Sequence, residues 1–153
     1  MKHHITLFVD GASRNNPGPS AAGFYLLRDS EVVHQEGFYL GIKTNNQAEY
    51  IALLLGLFFV GDYHQPGDTV RIVSDSQLMV MQIRNIYKIK NTVLKQYHDL
   101  AQKMVLIYDA KIEHVLRADN TFADAMANEG LDKKNPLPDT FIALLKAYKI
   151  DIL

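Results

Sequence analysis

The hydrophobic pattern divides the chain into short strand-like runs and longer stretches with helical spacing. Residues 4–11 hold a strongly apolar, β-prone run (Ile5, Leu7, Phe8, Val9) that ends on the carboxylate of Asp10. A turn rich in Gly, Asn, Ser and Pro follows at once, from Gly11 to Gly18. Residues 21–27 and 32–40 read as a second and a third strand, and the polar stretch Arg28-Asp29-Ser30-Glu31 between them predicts a hairpin. Lys43-Thr44-Asn45-Asn46 is capping chemistry, with Asn45 as the expected N-cap of a helix over about residues 47–62. That helix is apolar nearly all round, which predicts a central, buried position, and Glu49 falls in its expected first turn.

Further along, residues 69–74 predict a fourth strand that runs onto Asp75. Residues 76–84 read as a short helix and 91–108 as a longer amphipathic one, with Leu94, Tyr97, Leu100, Ala101 and Met104 at helical spacing. A fifth strand is expected over 111–116, and helices over 121–131 and 140–148 close the chain across Pro136 and Pro138. The order β-β-β-α-β-α-α-β-α-α joins hairpin-linked strands to crossover units. It implies an α/β fold with a mixed five-stranded sheet, three antiparallel strands and then parallel crossovers, flanked by helices. The expected organisation is a single domain over residues 1–153, with 132–153 a C-terminal helical extension packed on it.

Composition acts mainly by exclusion. An apolar fraction of 48% with 22% charged residues over 153 positions fits one globular domain and rules out wholesale disorder. The absence of cysteine removes disulfides, thiolate metal ligands and thiol nucleophiles, and favours a cytoplasmic location. The N-terminus lacks a signal-peptide layout, and the longest apolar run, 50–60, is far too short to span a bilayer, so no membrane partner is expected. Formal net charge is −1, so any basic footprint for nucleic acid has to be local.

The carboxylates change the picture more. An aspartate at the end of a buried strand is costly to keep ionised unless a cation or a hydrogen-bond network compensates it. If strands one and four run parallel side by side, Asp10 and Asp75 emerge together at the carboxyl edge of the sheet, where α/β folds place their sites. Glu49 and Asp124 can be brought there by the starts of their helices. Such a concentration of like charge calls for divalent metal, and all-carboxylate sites select hard ions such as Mg²⁺ or Mn²⁺. Two ions roughly 4 Å apart can clamp an in-line phosphoryl displacement. Each acid also has a structural reading. Ser74-Asp75-Ser76 is capping chemistry, and Glu49 and Asp124 suit the first turn of a helix as complements to its dipole.

Four motifs together resemble type 1 ribonuclease H: Asp10-Gly11-Ala12 with Asn16-Pro17-Gly18 and Gly23; Thr44-Asn45-Asn46-Gln47-Ala48-Glu49-Tyr50; Ser74-Asp75-Ser76-Gln77; and Asn120 with Ala123-Asp124-Ala125-Met126-Ala127-Asn128. The resemblance covers about residues 4–130 and keeps the family's order. It implies the ribonuclease H-like fold and endonucleolytic hydrolysis of the RNA strand of RNA–DNA hybrids, leaving 5′-phosphate and 3′-hydroxyl ends. Asp10, Glu49, Asp75 and Asp124 match the family's catalytic, metal-binding carboxylates, with Mg²⁺ the implied cofactor and Mn²⁺ an alternative. Asn16, Asn45, Asn46 and Gln77 match positions that contact the hybrid's minor groove, where an amide can both donate to and accept from a 2′-hydroxyl. Thr44 matches a position that holds a DNA phosphate, and Lys43 is a second candidate contact beside it.

The match has gaps. There is no tryptophan, and no basic protrusion is evident; residues 84–103 still carry Arg84, Lys88, Lys90, Lys95 and Lys103, either a reduced phosphate handle or a solvated helix face. The interval from Arg117 to Asp124 is too short for the family's histidine-bearing loop, and His114 is expected inside a strand. A compact form is therefore expected, monomeric and without a separate hybrid-binding domain or small-molecule cofactor. Its C-terminal helix is the candidate interface for any partner. The alternatives left open are a nuclease of this fold acting on another nucleic acid, and a catalytically silent hybrid-binding module.

Overall fold

The computed structural model of the protein describes residues 2–152. Three long strands open the chain, β1 (His4–Ser13), β2 (Gly18–Arg28) and β3 (Glu31–Lys43), and helix α1 (Asn45–Val60) follows. Then come β4 (Thr69–Ser74), α2 (Gln77–Ile83), α3 (Thr92–Ile107) and β5 (Lys111–His114). A turn of 3-10 helix at Arg117–Asp119 leads into α4 (Thr121–Lys133) and α5 (Asp139–Ala147). The sheet has five strands in the order β3-β2-β1-β4-β5, antiparallel across β1–β2–β3 and parallel across β1–β4–β5. This is the mixed sheet that the element order implies.

Successive strand residues point to opposite faces, and that alternation separates the helices. Phe24 of β2 stacks on Phe59 of α1, with ring centroids 4.9 Å apart. Gly23, its neighbour, faces α4, where an added Cβ would lie 2.2 Å from the backbone nitrogen of Ala127. Gly37 of β3 meets α4 in the same way, so glycines on two strands let this helix lie against the bare backbone of the sheet. On the other face α1 is buried on nearly every side, from Ala48 through Leu53, Leu54 and Leu57 to Val60. The all-round apolar pattern follows from that position. Helix α5 belongs to the same core: Phe141 and Leu145 are wholly buried, and the Phe141 ring packs on Phe58 at 5.5 Å.

The boundaries correct the sequence reading in three places. Helix α1 is capped by Thr44, not by Asn45: Thr44 Oγ1 accepts from Gln47 N at 3.1 Å, and Gln47 Oε1 accepts from Thr44 N at 2.8 Å. This reciprocal pair satisfies two backbone donors where an Asn45 cap would satisfy one, so the helix starts at Asn45. Glu49 is consequently the fifth helical residue, beyond the first turn. The β1–β2 hairpin also runs longer than expected, because pairing continues to Ser13 opposite Ser20. Strand β5 stops at His114, although Val115 N still donates to Ser74 O at 3.0 Å. Among the described residues, no helix is long and apolar enough to cross a membrane.

Candidate active site

The parallel register of β1 on β4 ends with Val9 beside Ser74. The next residues are Asp10 and Asp75, which therefore leave the same edge of the sheet together. Asp75 does not cap α2. Ser76 does, its Oγ accepting from Met79 N at 3.3 Å, while Ser74 Oγ accepts from Ser76 N at 3.0 Å. The local serines take the capping work and leave the Asp75 carboxylate for another purpose.

Gly11 explains how Glu49 arrives. A Cβ on Gly11 would stand 2.3 Å from the Ala48 carbonyl carbon and 2.5 Å from Glu49 N, so only glycine lets β1 come this close to α1. At that approach Gly11 N donates to Glu49 Oε1. Asp124, the fourth residue of α4, is delivered by the helix lying on Gly23 and Gly37, and Asn128 Nδ2 donates to its backbone carbonyl at 2.9 Å and its Oδ1 at 3.3 Å.

The result is one cavity of about 410 Å³ whose walls include Asp10, Glu49, Asp75 and Asp124. Asp10, Glu49 and Asp75 each offer an oxygen, all within 4.8 Å of one another. Burial, then the neighbouring Glu49 and Asp75 charges, push the Asp10 carboxyl far above the usual carboxylate range, and it shares hydrogen bonds with Glu49 and Asp124. Burial likewise raises Glu49, and Asp75 adds to that; the Gly11 N–H, the Asp10 hydrogen bond and the Arg117 charge oppose it. The cluster thus brings together carboxylates whose mutual repulsion a bound cation would relieve. An all-oxygen donor set under this repulsion fits a hard divalent cation, and Asp10, Glu49 and Asp75 could hold one.

The expected substrate residues separate into groups. Asn45 and Asn46 line the cavity at the start of α1, exposed. Asn16 stands beside them, its Oδ1 accepting from Asn45 N at 3.0 Å, which leaves its amide hydrogens free to donate elsewhere. Thr44 is half-buried at the cap, and Gln77, the exposed first residue of α2, lies outside the cavity wall. Lys43 points elsewhere: its ammonium donates to Ile152 O at 2.6 Å, and burial holds its pKa below the ordinary lysine value. The basic stretch that runs from the end of α2 into α3 is partly spoken for as well. Arg84 bonds Ile112 O, Lys95 pairs with Asp99, and Tyr97 is buried, while Tyr87, Lys88 and Lys90 stay exposed. His114 lies in β5 and, among the described residues, no histidine lines the cavity.

Sequence reasoning assigned no function to three polar residues found here. Arg117 lines the cavity from the 3-10 turn, Asn128 braces Asp124, and Asn120 is buried between β1 and β4. Arg117 and Asn120 were visible as polar residues in a turn just ahead of Asp124. The i, i+4 spacing of Asp124 and Asn128 on one helix was the available signal for the third.

Fold and site together define a class: α/β proteins that gather carboxylates for divalent cations at the carboxyl edge of a mixed sheet. The comparisons narrow it. A family model described as RNase H matches residues 2–132. The ribonuclease HI of Halobacterium salinarum is 39% identical over 130 residues, covering 84% of this chain and 64% of that protein. The bifunctional protein Rv2228c of Mycobacterium tuberculosis is 34% identical over 132 residues, covering 84% of this chain and 35% of its own length. Among solved structures, RNase H1 from H. salinarum superposes with a TM-score of 0.79 at 37% identity, over 85% of this chain and 98% of that one. LC11-RNase H1, solved in complex with an RNA/DNA hybrid, superposes with a TM-score of 0.80 at 30% identity, over 84% and 97%. The chain belongs to the RNase H family, in its type 1 (ribonuclease HI) branch. It spans under two thirds of the length of the two curated relatives described, so what those whole proteins do is not carried over entire.

Proposed function

We propose that the protein is a divalent-metal-dependent endonuclease that hydrolyses the RNA strand of RNA–DNA hybrids, leaving 5′-phosphate and 3′-hydroxyl ends. The observation that carries this reading is the convergence of Asp10, Glu49, Asp75 and Asp124 on one cavity edged by Asn45 and Asn46. The four acids are its metal ligands, with Mg²⁺ the expected ion and Mn²⁺ the alternative. Bound metal would supply an activated water and stabilise the charge that develops on the leaving oxygen.

The chain's own groups do the rest. Asp10, central to the cluster, would hold the metal as a carboxylate, so binding would oppose the burial and neighbouring charges that raise its pKa. Arg117 places positive charge at the same wall, where it favours the ionised form of Glu49 and can meet a phosphate oxygen. Asn45 and Asn46 stand at a helix start, which presents backbone N–H groups to anions, and their amides suit a 2′-hydroxyl. Asn16 donates alongside them, and Gln77, exposed at the start of α2 outside the cavity wall, is a further candidate contact. Thr44 Oγ1 accepts from the helix and keeps its hydroxyl proton for a DNA phosphate. Lys43 already gives one of its three ammonium donors to Ile152 O, so it could reach that phosphate only with the donors that remain. LC11-RNase H1 was solved with an RNA/DNA hybrid, and that supports the same partner for this chain. A monomer in the cytoplasm completes the reading, with residues 132–153 an extension of a single domain. Competition between strand-labelled hybrid, RNA duplex and DNA duplex tests it: the hybrid should be cut selectively, and equal cleavage of RNA duplex would overturn the assignment.

A further inference from the structure

Asn120 occupies the N-cap position of α4, the place where asparagine normally accepts from a helix N–H, yet its side chain makes no such bond. The side chain turns inward instead and is 1% exposed. Its Nδ2 donates to Val9 O at 2.9 Å and to Asp75 Oδ2 at 3.3 Å. Val9 O can only accept, so the amide must present its nitrogen on this side, and its partner fixes its orientation. The opposite atom, Oδ1, is then buried without a protein partner among the described residues. Giving up a cap and burying an unpartnered oxygen both weigh against stability. A residue kept only for the fold would avoid both.

What the geometry provides is a three-way joint. Val9 O belongs to the peptide bond that leads into Asp10, Asp75 Oδ2 belongs to a carboxylate of the cluster, and Asn120 O accepts from Asp124 N at 3.2 Å. One residue therefore touches the backbone of β1 beside Asp10, the carboxylate that follows β4, and the backbone of Asp124 on α4. We infer that Asn120 is a positioning residue that holds Asp10, Asp75 and Asp124 in register for metal binding, its single amide nitrogen tying α4 to the two central strands. This rests on the proposed metal-dependent reading of the site. Partners that orient metal ligands typically change metal affinity or activity by about 10- to 100-fold when removed.

The test compares the wild-type chain with Asn120→Ala and with Asn120→Asp, an isosteric change that turns an acceptor toward Val9 O and Asp75. Three quantities are read: kcat and KM on a uniform hybrid, the Mn²⁺ concentration at half-maximal activity, and the rise in Tm that Mn²⁺ produces without substrate. Asn120→Ala should unfold cooperatively in EDTA and keep KM within about twofold. Its kcat should fall about 10- to 100-fold, its Mn²⁺ midpoint should rise, and its Mn²⁺-induced Tm shift should shrink. Asn120→Asp should be hit at least as hard. A variant that loses Tm in EDTA but keeps wild-type kcat and metal response would overturn the inference, as would a raised KM with kcat unchanged, or failure of both variants to fold. If the wild type cleaves no hybrid, the activity reading fails, while the Mn²⁺-induced Tm shift still decides the role of Asn120.

Discussion

Replacing Asp10 by Asn should abolish cleavage and, in the same protein without metal, raise its thermal stability. Asp10, Glu49 and Asp75 hold oxygens within 4.8 Å of one another. Two unit charges at such a separation repel by about 3–4 kcal/mol at an effective dielectric near 20. The native state escapes by keeping Asp10 protonated, since burial and then the Glu49 and Asp75 charges raise its pKa. That proton costs about 1.4 kcal/mol for each pH unit above the unfolded value near 3.9. Near neutrality both routes come to roughly the same few kcal/mol, and an amide avoids them. Discounting for relaxation of the site and burial of the amide itself leaves about 2 kcal/mol, or roughly 4–8 °C in Tm for a chain of this size. The sign follows from the raised native pKa. Protonated Asp10 favours folding fully below about pH 4, and that contribution is lost as pH rises through the native value. The advantage of the amide should therefore be small near about pH 4.5 and grow toward about pH 8. Thermal unfolding in EDTA across that range is the assay. An amide variant that is no more stable at the alkaline end, or whose gain does not change with pH, would refute the electrostatic account of the site.

Other expectations are more local. Gly11→Ala should cost about 1–3 kcal/mol and reduce activity as well, because the new Cβ would meet the Ala48 and Glu49 backbone at 2.3–2.5 Å; denaturant unfolding with parallel kinetics checks both effects. Phe141→Ala should lower stability by about 3–5 kcal/mol, since the ring is wholly buried against the core; an unchanged denaturation midpoint would mean that α5 is not part of it. Hybrid affinity should fall steadily between roughly 50 and 200 mM salt, but with a shallow slope reflecting few phosphate contacts. A steep slope in a binding titration would point to a larger basic surface than Lys88, Lys90 and Arg117 supply.

The element order was legible because helical and strand periods rarely conflict along this chain, and the strand-end positions of Asp10 and Asp75 follow from that order alone. The cap of α1 was legible too, but misread: Thr44 and Gln47 stand at capping-box spacing, a stronger signal than an isolated Asn45. Ser74-Asp75-Ser76 could not be resolved locally, as all three residues cap well, and only the β1–β4 register frees the middle one for the cluster. Partners distant in sequence stayed hidden. Asn120 meets Val9 across 111 positions, and Lys43 meets Ile152 across 109, pairings set by how α4 and the C-terminal segment pack rather than by any spacing along the chain. The helical spacing of Leu94, Tyr97, Leu100, Ala101 and Met104 was legible, and all five are buried on one face of α3.

The central claim, that these carboxylates hold metal for hydrolysis of the RNA strand, is tested most directly by cleavage of a hybrid labelled on each strand, with and without Mg²⁺. The account predicts that only the RNA strand is cut, that its products carry 5′-phosphate and 3′-hydroxyl ends, and that a chelator stops the reaction. Cleavage that survives chelation, or that falls equally on the DNA strand, would contradict it.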